Sequence, residues 1–208
     1  MKPPAIENIL LAGPAGSIET DITDPGAERC AIALIAHPHP LMGGTKDNKV
    51  VTTLARIFHA LGCITLRPNF RGVGASAGVH DQGIAETDDL IAVAGYAKER
   101  FGDLPLICAG FSFGSFVQTR VVERIGAHQL VLVGPAVSRF KTGAVPTGTL
   151  VIHGEVDDVV PLSAVLDWAR PQSLPVVVVP GGEHFFHGRL QVLQQIVTQH
   201  WRQPVSGV

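Results

Sequence analysis

The stretch LPLICAGFSFGS, residues 104–115, decides the fold. Leu104 to Ala109 form an apolar run of buried-strand length, and it meets Gly110-Phe111-Ser112-Phe113-Gly114, a G-x-S-x-G string. Apolar residues at helical spacing then continue from Phe113 to Ile125. A serine forced onto a sharp strand-to-helix turn adopts a strained backbone. A side chain at either flanking position would meet the neighbouring strand or helix, so glycines are wanted on both sides. The helix beginning at Phe113 points its N-terminal dipole at the serine, where it favours a developing oxyanion. Gly and Ser are common, so the string alone is also an ordinary turn. The strand before it and the helix after it make Ser112 a candidate nucleophile.

On either side of this stretch short apolar runs alternate with longer helical patterns, the arrangement of a parallel sheet covered on both faces. Strands are expected at 31–36, 63–67, 104–109, 130–133, 149–152 and 175–179, and helices at 50–61, 87–101, 113–125, 162–168 and 190–201. Residues 6–12 and 17–22 read as an antiparallel pair. Gly62, Gly102 and Gly126 stand where three helices stop. No repeat or linker interrupts the chain, so residues 1–208 are expected to form a single domain. The fifteen or so residues between the strands ending at Val133 and starting at Thr149 leave no room for a helical lid, and the site should be open.

A serine hydroxyl needs a base. HGEVDD, residues 153–158, follows the strand TLVI, and GGEHFFH, residues 181–187, follows PVVVV. Both lie where a parallel sheet gathers functional loops, at the carboxyl ends of its strands. His184 is the expected base, preferred to His187, which falls in the first turn of the last helix. Asp157 is the expected orienting acid, holding the imidazole tautomer. It is preferred to Asp158, read as a helix cap near Pro161, and to Glu155. His153, His59 and His128 are read as structural.

His37-Pro38-His39-Pro40 follows the strand AIALIA. A tetrahedral oxyanion needs two backbone donors, and the expected pair is Phe113, next to the nucleophile, and His39. Pro38 and Pro40 carry no N–H. Leu41 is the reserve donor. His-x-His also suits a metal pair, but further ligands on other strands would be needed, and no metal is expected. Asn69 to Ser76 (NFRGVGAS) lacks the third glycine of a dinucleotide turn, and Arg71 is read as a loop brace. Leu41, Phe111, Phe185 and Phe186 are the expected substrate-binding residues, with Phe113 beside them. Core packing competes for at least two of the phenylalanines.

The chain is 46% hydrophobic and 16% charged with a formal net charge of -2, which excludes disorder and any recruitment of nucleic acid or anionic lipid by charge. Cys30, Cys63 and Cys108 show no C-x-x-C spacing and are read as small core hydrophobes in a reducing compartment. Beyond Lys2 the N-terminus offers only a four-residue apolar run, too short for a secretory core. A cytoplasmic protein without membrane contact is expected, and a homodimer is left open.

The blocks HPHPLMGGTKDNKVV, RPNFRGVGASAG, GFSFGS, VIHGEVDDVVPL and GGEHFFHGRL, spread over residues 37–190, resemble the α/β-hydrolase superfamily. More narrowly, the chain is similar to small lidless bacterial serine hydrolases near the dienelactone hydrolases and the catalytic core of X-Pro dipeptidyl-peptidase-like enzymes. The resemblance implies a mostly parallel sheet of about eight strands, antiparallel at its N-terminal edge, with helices on both faces. It also implies a Ser112–His184–Asp157 triad without a cofactor. Dienelactone hydrolases carry cysteine at the elbow, and Ser112 here favours ordinary ester chemistry. The expected activity is hydrolysis of small short-chain esters. A thioesterase, a peptidase or amidase with the same residues, a non-catalytic binding protein, and a metal-dependent hydrolase using His37 and His39 are the alternatives.

Overall fold

Ala31–Ala36 is apolar at every position because both of its faces are covered. Ile32, Leu34 and Ala36 point into one core, while Ala31, Ala33 and Ile35 point into the other. The computed structural model describes residues 5–202, apart from the side chain of Arg202, so Lys2 and both ends of the expected 1–208 domain lie outside the described residues. The strands are β1 (Ile6–Gly13), β2 (Gly16–Thr23), β3 (Ala31–Ala36), β4 (Cys63–Pro68), β5 (Leu106–Phe111), β6 (Gln129–Val133), β7 (Leu150–Gly154) and β8 (Val176–Val179). They form one sheet in the order β1-β2-β4-β3-β5-β6-β7-β8. The β1–β2 and β2–β4 pairs are antiparallel and the remainder parallel, as expected for this fold class.

Among the described residues, five helices cover the sheet: α1 (Lys49–Ala60), α2 (Ile84–Phe101), α3 (Phe113–Val121), α4 (Leu162–Ala169) and α5 (Leu190–Arg202). Helices α1 and α5 pack on one face, burying Val50, Leu54, Phe58, Leu193 and Val197. Helices α2, α3 and α4 pack on the other through Leu90, Val93, Val117, Val121 and Val165. Burying each such side chain contributes about 1.5–3 kcal/mol against the entropy of ordering the chain.

Several boundaries differ from the sequence reading for local reasons. The β5 ladder begins at Leu106, since Pro105 has no N–H to donate and only its carbonyl pairs, with the Ile32 amide. Helix α2 begins at Ile84, three residues early, because the buried Glu86 carboxylate accepts from the amides of Asp81 and Gly83 at 2.8 Å each and caps a turn with little apolar periodicity. Cys30 is exposed, unlike the buried Cys63 and Cys108, because it precedes β3 rather than lying in it.

The connection from β6 to β7 contains no helix, leaving the carboxyl edge uncovered there. The long β3–α1 loop is fastened to the antiparallel side of the sheet by buried charge. Asp21 on β2 accepts from Lys46 Nζ at 2.9 Å and from Arg67 Nη2 on β4 at 2.9 Å. Removing one member of such a buried group typically costs about 3–5 kcal/mol, because the rest stay desolvated. Among the described residues no helix is long and apolar enough to cross a membrane.

Candidate active site

The turn from β5 into α3 carries Ser112 at φ 55° and ψ −116°, a strained conformation for a residue with a side chain. Close backbone approach explains both flanking glycines. A Cβ on Gly110 would lie 2.5 Å from the Gly114 carbonyl carbon, and one on Gly114 would lie 2.6 Å from the His37 carbonyl oxygen. The second contact shows how α3 comes to abut the loop after β3. The strain is held by neighbours: the Ser112 amide donates to Val133 O at 2.9 Å, and Ser115 Oγ donates to Gly110 O at 2.7 Å. Gln118 Nε2 donates to Leu34 O and Ala109 O, tying α3 to two strands.

His184 follows the turn after β8, and Asp157 the turn after β7. His184 Nε2 lies 3.0 Å from Ser112 Oγ, and His184 Nδ1 lies 2.7 Å from Asp157 Oδ2. Asp157 Oδ1 accepts from the amides of Val159 and Val160 at 2.9 and 2.8 Å, so the carboxylate is fixed from both sides. Burial pushes this carboxyl upward, but the hydrogen bonds from His184 and Val160 outweigh it and hold Asp157 below the usual carboxylate range. With Asp157 ionised, Nδ1 of His184 is the donor and Nε2 is left to accept from the serine.

The competing residues are elsewhere. Asp158 is exposed and caps nothing, since α4 is preceded by Pro161 without a side-chain cap. Glu155 Oε2 accepts from the Gly181 amide at 2.8 Å and joins the two loops. His187 stands before α5 rather than in its first turn and pairs with Glu183 on the surface at 2.6 Å. His153 is structural: its Nε2 donates to Val160 O at 2.9 Å, beneath the Asp157 loop.

On the other side of the serine, the loop after β3 supplies His39, whose amide and that of Phe113 are taken by no other group among the described residues. Leu41 is excluded as the reserve donor because its amide is held by His39 Nδ1 at 3.2 Å. His37 does not face the site. It is fully buried, its Nδ1–H donates to Pro38 O at 2.7 Å, and its Nε2 accepts from the Phe70 amide at 2.9 Å. Burial holds its imidazole neutral, with the pKa pushed down to about 4. Both of its nitrogens are spoken for, which removes the His37–His39 metal alternative.

A cavity of about 300 Å³ opens against Ser112 and His184. Its walls include Met42, Phe113, Phe140, Val160 and Phe185, with Arg139 at the rim. This corrects three of the four expected substrate-binding residues. Phe111 and Phe186 are fully buried in the core, because alternation along β5 turns Phe111 under the sheet edge, where its ring supports His184 at 5.0 Å. Leu41 points to solvent, 70% exposed, while its neighbour Met42 lines the cavity. Phe140 and Arg139 escaped the sequence reading because they sit in a loop without motif or period, and Met42 because nothing in the 3-10 turn Pro40–Met42 shows which of its side chains faces the cavity. Ser115 and Gln118 could have been found as polar residues on the otherwise apolar face of α3.

No family model matches the chain. A curated relative, an uncharacterized protein of Rickettsia prowazekii (strain Madrid E), is 27% identical, covering 92% of this chain and 87% of its own length. An α/β serine hydrolase homologue from Coxiella burnetii is 40% identical with a TM-score of 0.86, covering 93% of this chain and 96% of that one. A protein of Xanthomonas campestris described as an α/β serine hydrolase without lid is 33% identical with a TM-score of 0.90, covering 100% and 99%. Likeness of that degree over nearly the whole of both chains makes this protein a member of the α/β serine hydrolases, in their small lidless form.

Proposed function

We propose that the protein hydrolyses small short-chain carboxylic esters through an acyl-enzyme on Ser112. The carrying observation is the continuous Asp157–His184–Ser112 hydrogen-bonded chain ending at a mostly apolar cavity of about 300 Å³. Ser112 Oγ attacks the carbonyl carbon as His184 Nε2 takes its proton, and the Asp157 carboxylate stabilises the imidazolium. The oxyanion is received by the His39 and Phe113 amides, at the N-terminus of α3. On collapse the ester C–O bond breaks and the alcohol leaves with the proton from His184. A water then repeats the sequence on the acyl-serine and restores the hydroxyl.

A cavity of this size with no lid favours short acyl chains. Phe185, Phe113 and Met42 are its apolar contacts. Three free thiols among the described residues favour a reducing, cytoplasmic setting. A panel of aryl esters from four to sixteen carbons, with a thioester and an anilide of the short acyl group, tests the reading. The short ester should be turned over fastest, and Ser112→Ala should lower its kcat by roughly 10⁴-fold or more. Equal turnover of the four- and sixteen-carbon esters would contradict the substrate size. Faster turnover of the thioester or anilide would move the protein to the corresponding acyl-transfer class.

A further inference from the structure

The cavity at Ser112 is unevenly charged. Among the described residues that line it, Arg139 is the only ionisable one apart from His39 and His184, and none is a carboxylate. The arginine ion pairs among the described residues use Arg29, Arg67, Arg71, Arg100, Arg124 and Arg170, so Arg139 is left without an acidic partner. Its backbone is nevertheless held in place. The Arg139 and Phe140 amides both donate to Ala136 O at 3.1 Å, and the Phe140 ring stacks on Phe116 at 4.8 Å and meets Phe113 at 5.1 Å. Farther along the same loop, Gly143 O accepts from Trp168 Nε1 at 3.0 Å. Arg139 shares the cavity lining with His39, whose imidazole is held below its usual range chiefly by burial.

Resting on the ester-hydrolase reading, we infer that Arg139 receives a carboxylate carried by the substrate, so that the preferred esters are anionic rather than neutral. A guanidinium offers a planar pair of N–H donors that matches a carboxylate. The reaction is the hydrolysis already described, consuming one water. The carboxylate can belong to the acyl part, as in a half-ester of a dicarboxylic acid, or to the alcohol part, as in an acylated hydroxy acid.

Four esters distinguish these sources by pH-stat titration of the purified protein. Monoethyl glutarate is compared with ethyl hexanoate, and 3-butanoyloxypropanoate with butyl butanoate. In at least one pair kcat/KM for the anionic ester should exceed that of its neutral counterpart tenfold or more. The ratio should fall about tenfold in Arg139→Gln, fall less in Arg139→Lys, and keep its parental value in Lys141→Gln, which alters a neighbouring cation outside the cavity. In the unaltered protein the ratio should also shrink as salt is raised, since Arg139 is at an exposed rim. Ratios at or below one in both pairs, or a ratio unmoved by Arg139→Gln, overturn the carboxylate site while leaving the esterase intact. Failure to hydrolyse any of the four overturns the esterase reading and the inference together.

Discussion

Replacing Gly154 by alanine would wedge the acid-bearing loop away from the histidine-bearing loop. Gly154 ends β7, and the turn after β8 lies directly against it. A Cβ there would stand 2.8 Å from the Gly182 carbonyl carbon and 3.0 Å from Glu183 O. Carbon atoms pack comfortably at about 3.6 Å, so the loops must part by roughly 0.8 Å. The Val156 amide, which donates to Gly182 O at 2.9 Å, resists that movement. Two and three residues beyond these glycines lie His184 and Asp157, whose contact is 2.7 Å. Lengthening it by the same amount takes it out of hydrogen-bonding range. Misplacement on the order of 1 Å costs about 10²-fold in rate, and overpacking costs about 1–3 kcal/mol in stability. Gly154→Ala should therefore lose about 10²-fold in kcat/KM on a short aryl ester while denaturing at somewhat lower urea. Gly95→Ala is the control. That residue is exposed on α2 with nothing within 4 Å of an added Cβ, so stability should rise by about 0.5–1 kcal/mol with activity unaltered. A folded Gly154→Ala protein retaining a third of the parental kcat/KM would refute the claim that this contact sets the His184–Asp157 distance.

Asp157→Asn keeps the acceptor for the Val159 and Val160 amides but turns an NH₂ toward His184 Nδ1, reversing the imidazole tautomer. Activity should fall by roughly 10⁴-fold with little change in unfolding midpoint, and a loss below tenfold would remove Asp157 from the proposed mechanism. His37 supplies a pH prediction. Its neutral ring is kept in the folded state while the unfolded chain binds a proton, so stability falls as pH drops from about 6.5 to about 4, by up to about 3 kcal/mol. Urea titrations across that window should show the slope, and His37→Asn should lose most of it. The phenylalanines should divide by location. Phe111→Ala should destabilise by about 3–5 kcal/mol, whereas Phe185→Ala should leave the unfolding midpoint near that of the parent and raise KM. Equal destabilisation by the two would contradict the assignment of Phe185 to the cavity wall.

Those two phenylalanines also show where sequence reasoning ends. Strand and helix existence followed from period and length, since a doubly buried strand such as β3 reads as unbroken apolar residues. The trio Ser112, His184 and Asp157 could be picked out because each follows a recognisable strand and sits in a glycine-marked turn. Which way a side chain faces within such a turn is not written in its composition. Phe111 and Phe113 flank the same serine, yet one supports His184 from the core and the other lines the cavity. Phe185 and Phe186 divide in the same manner, the second fully buried at φ 55°. His37 and His39 look equivalent in HPHP, but only tertiary contact with the Phe70 amide commits His37 to the interior. Arg139 lies in a segment with neither motif nor periodicity. Its place at the cavity follows from Phe140 wedging against α3, a contact between residues that are remote in sequence.

Covalent capture of Ser112 decides whether it is the activated nucleophile. The folded protein is treated with a fluorophosphonate, its intact mass is measured, and the modified peptide is sequenced. One phosphonyl group on Ser112, formed quickly in the parent and abolished in Ser112→Ala and in His184→Ala, is the predicted result. No adduct on folded protein, or an adduct on another residue that persists in Ser112→Ala, would contradict it.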